Sequence, residues 1–300
     1  MARKAAAKKV EVPAETVEEI HFRSDSAFLC LLVNHRTKSI RVIDFRAGAL
    51  PAKRLFIQSV AKREGIKKVI TLVEKDEVSS WTRVGFVREG TIPGFYKRSD
   101  GHLCGCVIGD KTASVDVGDS GLKVAERTIN AAKKPAKDVP EIIKGVAVHE
   151  VDEELALKVR DAAVAAGTAL NTFDTFGRDA ERFYYDCVYR RCTPNYLSAE
   201  FQDCFGHSLV EILRRPTSDN ERTALIGGLR TLAEDLKERG IISAFGFAPN
   251  DDLEMATVYL AAGFRKTGLL ARALDVGGNE RKDAILWSRK LLNPAGDDPE

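Results

Sequence analysis

One residue pattern occurs twice in this chain, and it constrains the fold more than any other feature. The copies are "EGIKKVITLVEKDEVSSWTRVGFVREG" and "RGIISAFGFAPNDDLEMATVYLAAGFRKTG". Each leaves a charged helix at Gly-Ile, passes through a hydrophobic strand and a short helix, and reaches Gly-Phe with a further glycine, Gly90 or Gly268, four residues later. Any α/β protein ends helices at glycines, because glycine adopts positive φ. The matched order, however, favours two copies of one supersecondary unit.

The segment between the copies indicates where the chain divides. Val124–Pro140 begins as a weak helix and continues as a Lys, Pro and Ala connector, which is typical of a domain boundary. The strands and helices on both sides predict an α/β or α+β fold with mixed sheets flanked by helices. The expected parts are a tail over 1–20, an N-terminal unit over 21–120, a linker over 121–140, a C-terminal unit over 141–292 and a second tail over 293–300.

Two helix predictions in the second half determine where site residues should lie. The first helix covers Arg178–Arg191. The second covers Ser198–Arg215, because apolar residues recur there at spacings of three and four. The residues with this spacing are Phe201, Cys204, Phe205, Leu209, Ile212 and Leu213.

Composition narrows the function classes. The 300 residues include 46 Lys and Arg against 44 Asp and Glu, and a net charge of +2 argues against a dominant electrostatic grip on nucleic acid or an anionic membrane. No apolar run approaches the roughly 18 residues of a membrane span, and the first residues lack a secretory signal. We therefore expect a cytoplasmic protein whose six cysteines are free thiols.

A family resemblance explains the repeated pattern. The stretch "YLAAGFRKTG" resembles the GNAT superfamily of N-acetyltransferases, and the first half is similar to the beta-lysine N-acetyltransferases through "SIRVIDF", "AKREGIKKVITLV", "VGFVREGTIPGFYK" and "HLCGCVIG". The resemblance is close over 39–110 and loose over 220–291. It implies two tandem acetyltransferase-like units, of which the first is truncated and the second binds acetyl-CoA.

The resemblance also implies a place for the coenzyme. Such enzymes hold the pyrophosphate on backbone N–H groups at a helix N-terminus, behind small residues that let the phosphates approach. The equivalent segment here is Thr217–Leu229, and the predicted coenzyme-binding residues are Ser218, Asn220, Arg222 and Thr223. The loop is degenerate, because Thr223 and Leu225 stand where small residues are expected, and Leu225 should obstruct a phosphate. An ordinary capped surface helix is the alternative interpretation.

Acetyl transfer to an amine needs a proton donor for the departing thiolate and a base for the ammonium. Tyr259, four residues before Gly263, stands where the family often places its tyrosine acid, so it is the predicted catalytic residue. The alternative is a core ring with its hydroxyl at the edge. The candidate bases are Glu200, Asp203, His207 and Glu211.

No metal site is predicted. His102, Cys104 and Cys106 share one face of a strand by period-two alternation, but no second Cys or His pair stands nearby. We expect the two thiols to face the core.

Two functions remain open. The chain is either an acetyl-CoA-dependent N-acetyltransferase acting on an amine of a small molecule or protein, or a catalytically inactive relative that binds a protein partner. A different acyl or nucleotide ligand in the modified loop is a weaker third option. A catalyst should have a cleft beside the strand "IISAFGFAP" with Tyr259 pointing into it, whereas in an inactive module Leu225 or Phe247 should fill that space.

Overall fold

The computed structural model describes residues 16–25, 27–45, 48–109, 117–202, 204–275 and 280–293. Within these residues the chain forms thirteen strands and six helices. The strands are β1 (Val17–Ser24), β2 (Ala27–Asn34), β3 (Ser39–Asp44), β4 (Lys68–Val73), β5 (Val87–Ile92), β6 (Gly101–Val107), β7 (Val146–Val151), β8 (Glu181–Tyr189), β9 (Asn195–Phe201), β10 (His207–Ile212), β11 (Ser243–Pro249), β12 (Arg265–Asp275) and β13 (Arg281–Lys290). The helices are α1 (Leu50–Arg63), α2 (Val78–Arg83), α3 (Asp119–Lys137), α4 (Glu153–Ala165), α5 (Asp219–Glu238) and α6 (Leu253–Ala261).

All these strands form one sheet with the order β1-β2-β3-β4-β6-β5-β12-β13-β11-β10-β9-β8-β7. The sheet divides into a first part, β1 to β6, and a second part, β7 to β13. In sheet order, β1-β2-β3-β4-β6-β5 of the first part corresponds to β8-β9-β10-β11-β13-β12 of the second. Each part has one parallel pair, β3 with β4 and β10 with β11, connected by α1 or α5. The mixed α/β class is confirmed, and the repeated sequence pattern occupies corresponding places in the two parts.

The two parts meet where β5 pairs with β12, and the paired residues are Gly90 and Gly268. An added Cβ on Gly268 would lie 2.6 Å from the Gly90 Cα, so the trailing glycines of the repeated pattern permit this close approach. Next to them, the buried Lys68 Nζ lies 2.6 Å from Glu89 Oε1 and donates to the Ala271 carbonyl at 2.8 Å. The Ala271 N–H in turn donates to Glu89 Oε1 at 2.9 Å, so hydrogen bonds between this buried ion pair and β12 hold the junction in addition to the sheet.

Four hydrophobic clusters hold the described chain together, and the fourth packs α4 against β8. In the second part, α3, α5 and α6 pack on one face of the sheet, while α1 and α2 pack on the corresponding face of the first part. The other face carries a shared cluster that joins β4, β5 and β6 to β10, β11, β12 and β13. The side chains of β10 and β11 that face away from α5 and α6 are therefore covered by the first part of the chain.

The two helix predictions for the second half are wrong. Residues 181–189 form β8, and residues 198–212 lie in β9 and β10 with the turn between them. In β8, Tyr184 and Tyr185 pack into different clusters on opposite faces, so a strand buried on both sides shows no simple alternation. In the second segment the helical spacing joined Phe201 of one strand to Leu209 of the next, across a turn.

Most of the predicted linker over 121–140 belongs to α3, so the segment is helical rather than an irregular connector, and its role as a domain linker stays a prediction. The helix is amphipathic and buries Ala125, Thr128 and Ala132, while Pro135 stands in its last turn. Strand β1 begins at Val17, so the last residues of the predicted N-terminal tail are ordered in the sheet; residues 1–15 and 294–300 lie outside the described residues. No helix in the described ranges combines the length and apolar character needed to span a bilayer.

Candidate functional site

The parallel strands β10 and β11 separate after a short contact. Three residue pairs join them, from His207 opposite Ser243 to Leu209 opposite Phe245. Strand β10 continues to Ile212 and β11 to Pro249, without further pairing between the two. Ligands of open α/β sheets bind at the carboxyl ends of strands, so this gap is the first place to look for a site.

Tyr259 points into this region from α6. Its ring stacks on Trp287 at 5.5 Å between centroids and meets Phe264 edge-on at 5.3 Å, which fixes its direction. The side chain is completely buried, and its hydroxyl makes no hydrogen bond to the described residues. An added Cβ on Gly246 of β11 would lie 2.5 Å from the Tyr259 hydroxyl and 2.6 Å from the Val210 carbonyl oxygen of β10. The absence of a side chain at Gly246 therefore makes room for the hydroxyl between the two strands.

The electrostatic surroundings keep this hydroxyl protonated. Burial raises the pKa of Tyr259, and the negative charge of Glu211 on β10 raises it further. An unpaired buried hydroxyl is unfavourable by about 1–3 kcal/mol, so the group is either a cost of the fold or a donor for something bound there.

Glu211 belongs to a buried ionic cluster on the other face of the sheet. Arg182 of β8 places one guanidinium nitrogen 2.5 Å from Glu211 Oε2 and the other 2.5 Å from Glu200 Oε2. Arg182 also donates to Ser198 Oγ at 2.7 Å and to the Asp174 carbonyl at 2.8 Å. Burial raises the pKa of Glu211, and the Arg182 guanidinium opposes that rise. The Glu211 carboxylate and the Tyr259 hydroxyl thus approach the gap from opposite faces.

The other candidate bases differ in accessibility and bonding. Glu200 accepts hydrogen bonds from the backbone N–H groups of Phe176 and Gly177 and is paired with Arg182. His207 is buried and stacks on Phe95 at 3.6 Å, and burial lowers its pKa to about 3, so its ring is neutral. Because residues 207–212 form a strand rather than part of the predicted helix, His207 and Glu211 lie on one face of β10. Asp203 lies outside the described residues.

The N-terminus of α5 satisfies many of its own polar groups. The Ser218 hydroxyl accepts from the Glu221 N–H at 3.2 Å, and the Glu221 carboxylate accepts from the Thr217 N–H and hydroxyl, both at 2.8 Å. This is a capping-box arrangement. Within the described chain, the backbone N–H groups of Asp219 and Asn220 donate no hydrogen bond and remain available to an anion.

Two more of the predicted coenzyme residues are also engaged. Arg222 pairs with Asp219 at 2.7 Å and with Glu254 at 2.9 Å, and the Thr223 hydroxyl donates to the Asp219 carbonyl at 2.7 Å. The exposed Asp219 carboxylate leaves a negative charge at this helix start. A phosphate bound here would therefore be held by backbone N–H groups unless Arg222 changed partners.

The two side chains expected to fill the gap in an inactive module lie in different hydrophobic clusters. Leu225 is completely buried in the cluster beneath α5, and it points inward rather than toward the start of the helix. Phe247 lies in the shared cluster on the opposite face from Tyr259. Leu225 therefore packs in the same core cluster as Tyr259, and its obstruction of a phosphate stays a prediction.

A separate cavity of about 540 Å³ lies between α3 and α5. Arg222 and Thr223 are among its walls, so the predicted coenzyme residues divide between this cavity and the α5 terminus. The remaining lining residues are Lys134, Pro135, Asp138, Val139, Pro140, Ile143, Tyr189 and Ile226.

Solved structures similar to this chain include N-acetyltransferases of the GNAT family. The spermidine N-acetyltransferase from Vibrio cholerae, in complex with CoA and spermine, is 7% identical, covers 50% of this chain and 98% of its own, and gives a TM-score of 0.40. The ribosomal-protein-S18-alanine N-acetyltransferase from Escherichia coli is 13% identical, covers 52% of this chain and 99% of its own, and gives a TM-score of 0.36. No family model and no curated protein matches the chain. TM-scores this low carry no functional argument, so function must be argued from the site itself.

Two residues of the site were missed from the sequence. Gly246 stands alone in the apolar strand "SAFGFAP", and an isolated glycine in a strand signals a close approach. Arg182 lies among the aromatic residues of "ERFYYDCVY", where the wrong helix prediction concealed that it shares a face with Glu200 and Glu211.

Proposed function

We propose that the chain consists of two tandem acetyltransferase-like units and that the second, over 141–292, takes acetyl-CoA as donor and an amine as acceptor. The observation that carries this proposal is the buried, unpaired Tyr259 hydroxyl lying against Gly246 where β10 and β11 separate. Gly246 makes room for this donor, and Glu211 approaches the same gap from the other face. The repeated strand order supports the tandem arrangement.

The residues present fit the coenzyme at its thioester end. When bound, acetyl-CoA supplies the activated acyl group. In this proposal the Tyr259 hydroxyl, kept protonated by burial and by Glu211, donates its proton to the departing thiolate. Glu211 accepts the proton of the acceptor ammonium, and Arg182 holds its carboxylate in place.

At the phosphate end the fit is limited to the backbone. We propose that the N–H groups of Asp219 and Asn220 hold the pyrophosphate, while Ser218 caps the helix. Arg222 and Thr223 then contribute only if they exchange their present partners. The beta-lysine resemblance lies in the first half, so it identifies no particular amine, and the acceptor is proposed only as an amine of a small molecule or protein.

A catalytically inactive binding module is the second candidate function. It is favoured by the complete burial of Tyr259 and by the acidic, self-capped start of α5. In that case the retained fold would present a surface to a protein partner. The cysteines of the described chain are free thiols, which supports the proposal of a cytoplasmic location.

Turnover distinguishes the two candidates. The purified chain is incubated with acetyl-CoA and a panel of small amines and N-terminal peptides, and released CoA is measured by chromatography, because the exposed Cys204 reacts with thiol reagents. We expect amine-dependent CoA release that falls about 10²- to 10⁴-fold in Tyr259→Phe, with acetyl-CoA binding retained. Binding without turnover on any amine would favour the module, and no binding at millimolar acetyl-CoA would contradict the enzyme proposal.

A further inference from the structure

Three side chains with different metal-binding atoms converge on the outer strands of the first part. His21 of β1 lies directly opposite Cys30 of β2, and Glu19 stands two residues before His21, on the same face. His21 Nε2 lies 3.7 Å from Glu19 Oε2, and Cys30 Sγ lies 4.0 Å from the same oxygen. One nitrogen, one oxygen and one sulfur atom, all within 4.8 Å of one another, thus surround a common point.

This spacing suits a zinc ion. Zinc binds imidazole nitrogen, carboxylate oxygen and thiolate sulfur at about 2.0–2.3 Å, which places tetrahedral ligands roughly 3.5 Å apart. The separations of 3.7 and 4.0 Å to the Glu19 oxygen need to shorten by only a few tenths of an ångström, and the separation of His21 from Cys30, which is within 4.8 Å, by about 1 Å at most. His21 and Glu19 are each about two-fifths exposed at the side chain, 40% and 41%, so the point is reachable from solvent although Cys30 is buried.

The corresponding positions of the second part contain a fixed cation. The strand registers place Glu19 and Cys30 where the second part has Arg182 and Ser198. There the Arg182 guanidinium donates to Ser198 Oγ at 2.7 Å. In the first part, a carboxylate and a thiol occupy the same two positions. These two groups can bind a cation, whereas the second part has the positive charge of Arg182 built in.

A cation from elsewhere in the chain already approaches these ligands. Arg178, between α4 and β8, places its Nε 3.4 Å from Glu19 Oε2, yet this buried nitrogen makes no hydrogen bond to the described residues. The neighbouring Asp179 has a left-handed backbone with φ of 51° and acts electrostatically on the Cys30 thiol. Arg178 is therefore a poorly bonded counterion, with a carboxylate next to it that is available to complete a ligand set.

We propose that Glu19, His21 and Cys30 form a Zn²⁺ site, with Arg178 displaced and the fourth position taken by water or by Asp179. On binding, a sulfur–zinc bond replaces the Cys30 S–H bond, and the proton passes to the buffer. The site is independent of the acetyl-transfer proposal. With Asp179 as the fourth ligand, it would fasten the segment before β8 onto β1 and β2, and so join the two parts away from their sheet junction.

The test uses the full chain, stripped of metal and titrated with Co²⁺ and Zn²⁺. We expect one Co²⁺ per chain with a thiolate-to-metal charge-transfer band, and Zn²⁺ that displaces it with micromolar or tighter affinity. His21→Ala and Cys30→Ser should each weaken Zn²⁺ binding by about tenfold or more, whereas Arg178→Ala should tighten it because a competing cation is removed.

Matched controls lie in the same protein. Glu18 of β1 and His35, in the turn after β2, form a similar pair at 3.2 Å without a thiol, and Cys204 is an exposed thiol elsewhere. His35→Ala and Cys204→Ser should leave the affinity unchanged. His21 is exposed, so His21→Ala should fold whatever happens to the buried Cys30→Ser. Unchanged zinc affinity in His21→Ala, or a bound Co²⁺ without the charge-transfer band, would overturn the proposal.

Discussion

The two parts of the sheet share their topology but differ at the residues that face the gap between their parallel strands. Trp81 precedes Gly85 by four residues, as Tyr259 precedes Gly263. Both rings meet the following Phe edge-on, at 4.9 Å in the first part and 5.3 Å in the second. The same fold position thus carries a tyrosine hydroxyl in the second part and a tryptophan in the first.

The neighbouring positions show the same contrast. The strand registers match Thr71 with Gly246 and Ile43 with Glu211. The Thr71 hydroxyl donates to the Val42 carbonyl at 3.3 Å, which ties β3 to β4 where the second part has a glycine and an unpaired tyrosine hydroxyl. The strand order is therefore shared, whereas an unpaired tyrosine hydroxyl at this position occurs in the second part only, and topology alone is no guide to function.

The largest effect is expected from Arg182→Ala. This change leaves Glu200 and Glu211 facing each other in a buried space without their cation, so the free energy of unfolding should fall by about 3–5 kcal/mol. Urea denaturation measures it. Adding Glu211→Gln should recover part of the loss, because one of the two unpaired charges is removed. A loss below about 1 kcal/mol would mean that water reaches the cluster.

Gly246→Ala should have the next largest effect on stability. The added methyl group meets both the Tyr259 hydroxyl and the Val210 carbonyl, so we expect about 1–3 kcal/mol of destabilisation. Thermal and urea unfolding test this. Combining it with Tyr259→Phe should relieve only part of the cost, because the backbone oxygen remains. Full tolerance of the alanine would show that the second part accommodates a side chain at this position, as the first part does with Thr71.

The pH dependence of stability should depend on His207, whose counterpart in the first part is Ser39. The folded-state pKa of His207 is lowered to about 3, below its usual value of 6.5, so the unfolded state takes up the proton first. The stabilisation is present above pH 6.5 and is lost as the pH falls toward 3, at about 1.4 kcal/mol per pH unit. In His207→Phe, which keeps the ring stack on Phe95, urea unfolding at pH 7 and 5 should show a smaller difference than in the unchanged chain. An equal difference would contradict a buried neutral imidazole.

The smallest effects should differ in sign between the two parts. Tyr259→Phe removes a buried hydroxyl without a partner, so stability should stay constant or rise by up to about 1 kcal/mol. Thr71→Val removes a hydroxyl that bonds to Val42, so stability should fall by about 0.5–1.5 kcal/mol. Calorimetric unfolding of both variants measures the contrast. Equal losses would mean that the Tyr259 hydroxyl has a partner after all.

The sequence predicts the repeated part of this fold well and the segment between the copies poorly. The strands around "HRTK" and the tyrosine before Gly263 follow from short-range patterns and are confirmed as β2, β3 and the end of α6. Residues 181–212 could not be assigned because strands buried on both faces lack alternation. Gly246 and Arg182 gain their roles only from strand pairing, which no local spacing reveals.

The central claim is that one part of the sheet holds acetyl-CoA and the other does not. Titration calorimetry with acetyl-CoA tests it in two exchange variants: Gly246→Thr, which gives the second part the first part's residue, and Thr71→Gly, which does the reverse. Unfolding scans verify that both variants are folded. We predict one site per chain of about −8 kcal/mol, a micromolar affinity, retained in Thr71→Gly and abolished in Gly246→Thr. Unchanged binding in a folded Gly246→Thr, or no binding in the parent chain, would contradict the claim.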